Sequence, residues 1–233
     1  MLLFYVRHGD PIYNPDSLTE LGHKQAQALV ERMKVCNPSQ IYVSSSNRAI
    51  LTAQPTAQAL GIEPVILDWA SENNAFKDLS VTKPEGGRRW LADGSEYEHL
   101  LSDEIRNLGH DWHTHPSIVE RGVLGTGRIA AQTDAWLEML GYRRDGRVYR
   151  RVGEPPERVA LFAHWGFGLA FLSHLLDIPY PQMATRFCIG HSQVTTIRFW
   201  DRDPVVPQVL QLSNDSHLFA GDVETKYINR FLF

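Results

Sequence analysis

Three short segments hold groups that could do chemistry together. Arg7-His8-Gly9 closes an apolar run, Arg48 follows three serines and an asparagine, and His164 closes a second apolar run. Two guanidiniums and two imidazoles in one partly buried place repel one another unless an anion completes them. Phosphate fits best, because arginine forks match its oxygens two at a time. Gly9 is expected to let the backbone approach the ligand closely.

These groups depend on strands to place them. Leu2–Val6 is continuously apolar, as a strand buried on both faces of a parallel sheet would be, and Gln40–Ser44 and Arg158–Ala163 also read as strands. In an open α/β sheet, ligands bind at the carboxyl ends of the strands, beside helix N-termini that favour anions. His8, Arg48 and His164 each follow such an end, so they are expected to converge. The spacing predicts a helix from Thr19 to about Lys34 that stops at Asn37-Pro38, and a second that starts around Arg48 and bends at Pro55. Pro64–Asp68 reads as an edge strand, Ile129–Leu140 and His164–Leu176 as helices, Gly141–Arg151 as a hairpin around Asp145-Gly146, and Gln193–Trp200 and Gln208–Leu212 as strands. The alternation predicts an α/β fold of three layers, a mostly parallel sheet with helices on both faces. Residues 1–233 then make one domain. An insertion at about 73–127, without periodicity apart from one short helix near Tyr97–Leu108, is expected to lie over the site.

Composition narrows the partners. Of 233 residues, 23 are Lys or Arg and 27 Asp or Glu, for a net charge of −4, which speaks against nucleic acid or an anionic membrane as the partner. A hydrophobic share of 43% excludes disorder as the main state. Cys36 and Cys188 read as thiols of a reducing compartment. The apolar start lacks a basic region and a cleavage site, and no apolar stretch approaches a membrane span. The expectation is a soluble, cytoplasmic protein that takes a small phosphorylated substrate, with its oligomeric state open.

The segments Arg7-His8-Gly9, Leu18-Thr-Glu-Leu-Gly22, Ser44-Ser45-x-x-Arg48-Ala49-x-x-Thr52-Ala53, Ala163-His164 and Asn214-Asp-Ser-His217-Leu218 occur in an order that resembles the histidine phosphatase superfamily, which includes cofactor-dependent phosphoglycerate mutases. The resemblance implies a phosphoglycerate mutase-like domain in which His8 becomes phosphohistidine. Arg7, Arg48 and His164 would bind the phosphoryl oxygens with a contribution from Asn14, and Glu72 would protonate the leaving oxygen. It implies no metal and no cofactor. The loop Asp10-Pro-Ile-Tyr-Asn14 keeps the family's Asn but not its usual Glu and Trp, Glu72-Asn-Asn-Ala-Phe76 departs from the mutase pattern, and His164 precedes Trp165 rather than Gly. No Asp follows His164, which argues against the acid-phosphatase branch. The reading is a phosphomonoester phosphatase. The alternatives are a mutase-type isomerase and a non-catalytic phosphate- or protein-binding module, the last disfavoured because the reacting set is complete.

Other features have blander readings beside them. Glu20, Asp68 or Glu85 could replace Glu72 as the acid. His110-x-x-His113-x-His115 has zinc-like spacing, but Gly109 and Pro116 bracket it, so a surface or substrate-lining loop is expected. Arg88 and Arg89 either grip a second anionic group of the substrate or are solvated. Gly125-Thr-Gly127-Arg-Ile-Ala130 mimics a dinucleotide fingerprint with no strand before it, so it reads as a loop entering a helix. The arginines of Arg143–Arg151 read as a solvated turn, and His217 as a structural hydrogen-bonding residue near the site.

Overall fold

The computed structural model describes residues 1–225. Six strands form the main sheet: β1 (Leu2–Arg7), β2 (Gln40–Ser44), β3 (Val65–Leu67), β4 (Arg158–Ala163), β5 (Val194–Arg198) and β6 (Gln208–Asn214). Their order is β6-β5-β1-β4-β2-β3. Pairs β1/β4, β4/β2 and β2/β3 are parallel, while β5 runs antiparallel to both β1 and β6. The sheet is mostly parallel, as expected. Arg7 pairs with Ala163, and Phe162 with Val43, so the carboxyl ends of β1, β4 and β2 finish level with one another. That register places Arg7-His8, His164 and the segment leading to Arg48 along one edge.

The apolar runs are continuous because both faces of the central strands are covered. Leu3, Tyr5, Leu161 and Ala163 belong to a buried cluster with α3 (Glu72–Leu79), α4 (Gly127–Met139), α5 (Trp165–Leu175) and α6 (Tyr180–Arg186). Phe4, Val6, Phe162 and Val43 point the other way, into a cluster with α1 (Glu20–Cys36) and α2 (Asn47–Leu60). Alternate residues therefore serve opposite layers. Thr19 caps α1 by accepting from the Gly22 N–H at 3.0 Å, and Asn37 ends it in the left-handed conformation. Helix α2 runs unbroken through Pro55. The hairpin Tyr142–Asp145/Val148–Arg151 turns at Gly146, as its sequence predicts. Among the described residues, no helix is long and apolar enough to cross a membrane.

The segment expected to be an insertion is more ordered than its sequence suggests. It opens with α3, continues as the hairpin Ser80–Thr82/Arg88–Trp90, and breaks the expected helix near Tyr97–Leu108 into Tyr97–Leu100 and Asp103–Asn107. Each piece is too short to show a period. What orders them is burial: Leu79, Val81, Leu91, Leu100, Ile105, Trp112 and Ile118 join the same cluster as α5. At the far edge, β6 carries Val209, Leu210 and Leu212 exposed, so its sequence alternation does not mark a buried face.

Candidate active site

The chain leaves β1 at Arg7 and at once packs backbone on backbone. A Cβ on Gly9 would lie 2.7 Å from the Gly22 carbonyl oxygen, and the Gly9 N–H donates to Thr52 Oγ1 at 2.9 Å. Gly9 is therefore needed for contact with α1. His8, buried, donates Nδ1–H to the Gly9 carbonyl at 2.7 Å, so its Nε2 carries the lone pair. That nitrogen faces the Arg48 Nε–H at 3.3 Å.

Around it the edge of the sheet supplies the rest. Rings of His8 and His164 are 5.2 Å apart between centroids, and His164 Nε2 lies 2.7 Å from Ser44 Oγ at the end of β2. Tyr5 donates to the His164 carbonyl and accepts from its N–H at 3.2 Å, which fixes the backbone where β4 turns into α5. Arg7 donates Nη1–H to the Ile189 carbonyl at 2.6 Å, and Arg48 Nη1 bonds Asp16 at 2.8 Å. Arg7 Nε and His164 Nδ1 are buried and have no partner among the described residues. Two such atoms beside one imidazole lone pair form a cradle for an anion.

Glu72, the first residue of α3, reaches the N-terminus of α5. Its carboxylate accepts from the Gly166 and Phe167 N–H groups, each at 2.9 Å. Burial raises its pKa, and those two N–H groups, then Arg48 and Arg7, pull it partly back. Burial drives the pKa of His8 well below the ordinary imidazole value, helped by His164, Arg7, Arg48 and His191. His164 moves the same way through burial, Arg48 and Arg7. The site thus holds neutral imidazoles between fixed cations, next to a carboxyl biased toward its protonated form.

Residues 3–90, which include Arg7, His8, Arg48 and Glu72, match the family model described as histidine phosphatase superfamily (branch 1). Over that segment the chain is similar to the histidine phosphatase superfamily. No protein with a curated description matches it by sequence. Solved structures share the histidine phosphatase fold. A mycobacterial glucosyl-3-phosphoglycerate phosphatase is 20% identical, with 91% of this chain and 97% of that one covered at a TM-score of 0.59. A phosphoserine phosphatase mutant from Entamoeba histolytica, in complex with phosphoserine, is 19% identical over 93% and 98% with a TM-score of 0.57. A putative alpha-ribazole-5′-P phosphatase from Escherichia coli is 16% identical over 92% and 97% with a TM-score of 0.60.

The histidine phosphatase fold brings together His8, Arg7, Arg48, His164 and Glu72. Asn14 is exposed at the tip of the hairpin Pro11–Tyr13/Asp16–Leu18, and its neighbour Tyr13 lies over the Arg48 guanidinium at 5.2 Å. The rival acids lie elsewhere. Glu20 pairs with Lys24, Glu85 with Lys83, and exposed Asp68 accepts from Ser45. Arg88 is bound to Ser80 and the Gly122 carbonyl, and Arg89 to buried Glu96, which Arg121 also grips. Both arginines are spent inside the insertion. His110 pairs with Asp177, His115 with Ser117, and His113 packs on Gly125, so the three point apart. Among the described residues, no three His, Cys, Asp or Glu side chains are grouped to hold a metal ion. Several arginines of the hairpin are paired and not simply solvated: Arg143 bonds Glu138 and Arg144 bonds Asp134.

One residue escaped the sequence reading altogether. His191 is buried, with its ring centroid 5.4 Å from that of His8. It precedes β5, and because β5 is antiparallel to β1, its amino end meets the site. A search confined to carboxyl ends passes over it. His217 holds this loop from behind: its Nε2 lies 3.0 Å from Ser192 Oγ, and the Ser192 N–H donates to the His8 carbonyl at 3.0 Å.

Proposed function

We propose that this chain is a histidine phosphatase that hydrolyses small phosphomonoesters through a phosphohistidine on His8. The observation that carries the reading is the His8 Nε2 lone pair under the Arg48 Nε–H, with the His164 ring 5.2 Å away and with Arg7 Nε and His164 Nδ1 buried and without a partner among the described residues. A phosphoryl group entering the cradle takes the N–H groups of Arg7, His164 and Arg48 on its oxygens. Transfer of the Arg48 N–H to an oxygen uncovers the lone pair. Nε2 then attacks phosphorus, the P–O ester bond breaks in line, and protonated Glu72 gives its proton to the leaving oxygen. In the second step water attacks phosphohistidine. Glu72, now a carboxylate, takes the water proton, the N–P bond breaks, and inorganic phosphate leaves with His8 neutral again.

The phosphatase reading is favoured over a mutase by where the insertion's arginines go. A mutase must hold a second anionic group, and Arg88 and Arg89, the pair best suited by sequence, are engaged within the insertion. The fold neighbours carry phosphatase names and act on small phosphorylated compounds. The complete reacting set speaks against an idle binding module. Cys36 and Cys188 are free thiols, which supports a reducing cytoplasmic setting.

The test is turnover of an aryl phosphate by the full chain. Wild-type activity that vanishes in His8→Ala supports the reading, and full activity in that variant overturns it. Interconversion of 2- and 3-phosphoglycerate faster than hydrolysis would install the mutase instead.

A further inference from the structure

The loop before β5 wraps the end of β1. The Arg7 N–H donates to the Gln193 carbonyl at 3.2 Å, and Ile189 and His191 receive the two terminal nitrogens of the Arg7 fork. Arg7 Nη2 lies 2.8 Å from His191 Nε2. A guanidinium has only donors, so Nε2 must accept, and His191 is neutral with its proton on Nδ1. That Nδ1 lies 3.5 Å from Asp10 Oδ1, close enough for the carboxylate to orient it. Both terminal nitrogens are anchored to one loop, and the buried Nε–H of the same guanidinium has no partner among the described residues.

We propose that His191 is a positioning residue: as a neutral acceptor it aims Arg7 at the phosphoryl group, and its protonation uncouples the two. This rests on the phosphate site proposed above. Groups that face His191 include Arg7 from β1 and His8 and Asp10 from the loop after it, with His217 behind its neighbour Ser192. An imidazolium would set one donor against another at 2.8 Å and one positive charge against a second. Arg7 must then swing away, and the anion loses a ligand.

The experiment is calorimetric titration of the full chain with inorganic phosphate at pH 8 and pH 5.5, for wild type, His191→Leu and His191→Gln. At pH 8, His191→Leu weakens phosphate binding about tenfold, the size of one charge-assisted hydrogen bond. His191→Gln, whose Oε1 accepts from Arg7, stays within about threefold of wild type. With an aryl phosphate, His191→Leu raises KM more than it lowers kcat. On acidification the wild type loses more affinity than His191→Gln, and the ratio of the two cancels the titration of phosphate itself. Wild-type affinity in His191→Leu at pH 8 overturns the inference, as does an unchanged ratio at the two pH values. If His191→Leu does not fold, the wild-type and Gln pair decides alone. Phosphate binding is read without turnover, so this pattern in a protein that hydrolyses nothing would keep the inference and discard the proposed function.

Discussion

The sheet edge and the insertion both gather arginines and use them in opposite ways. At the edge, Arg7 is tied down at its terminal nitrogens and keeps Nε unpartnered, while Arg48 lies against an imidazole lone pair. In the insertion, Arg89 and Arg121 close on the carboxylate of Glu96, which is 2% exposed, and Arg88 closes on carbonyl and hydroxyl oxygens. Arg7 is held short of satisfaction, and Arg48, paired with Asp16 through Nη1, donates its Nε–H to a neutral lone pair that an anion can displace. The insertion's set is satisfied internally and works as a strut. Sequence position relative to strand ends separates the two kinds; arginine count does not.

The comparison can be broken most decisively at the nucleophile. His8→Ala should lower kcat for an aryl phosphate by about 10³-fold or more while the fold survives, as measured by steady-state kinetics and circular dichroism. Arg48→Leu should cost about 10²-fold in kcat/KM. Arg89→Leu should leave kcat/KM nearly unchanged yet lower stability by about 2 kcal/mol in a denaturant titration, because a buried carboxylate loses one of its two partners. A reversal of these two outcomes would erase the distinction between unsatisfied and satisfied arginines.

Glu72→Gln sharpens the same contrast. An alkyl phosphate needs a proton on its leaving oxygen and nitrophenolate does not. The variant should therefore lose about 10²-fold on the alkyl ester and far less on the aryl one. Equal losses would remove Glu72 from the acid's role.

The smallest effect concerns pH. His8 and His164 have folded pKa values depressed by burial, so the unfolded chain binds more protons below about pH 6.5. Stability is complete above that value and falls as the pH drops, by at most about 1.4 kcal/mol per pH unit for each histidine. Urea titrations from pH 7 to pH 5 should show this slope, and His8→Gln should flatten it. A slope unchanged in the variant would place the proton uptake elsewhere.

Legibility followed the length of the elements. Leu2–Arg7, Gln40–Ser44 and Arg158–Ala163 are long enough, and buried on both faces enough, to announce themselves. With them came His8, Arg48 and His164. Glu72 was reachable through the family resemblance, but not its helix, whose eight residues span barely two turns. Asn14 lies exposed at the tip of a hairpin with three residues on each side, too short for sequence to say which side chain meets Arg48; there Tyr13 does. His191 was invisible for a topological reason, since only the pairing of β5 with β1 reveals which of its ends faces the site. The partners of Arg88 and Arg89 are set by contacts from Glu96 and Gly122 that no local pattern encodes.

The central claim is a covalent phosphoryl group on one nitrogen. Rapid quenching of the enzyme during turnover of a 32P-labelled substrate, followed by mass spectrometry under alkaline conditions, reads it directly. The account predicts an acid-labile, alkali-stable phosphoryl group on His8, absent from His8→Ala. Hydrolysis that proceeds with no protein-bound phosphoryl group, or with the label on another residue, would contradict it.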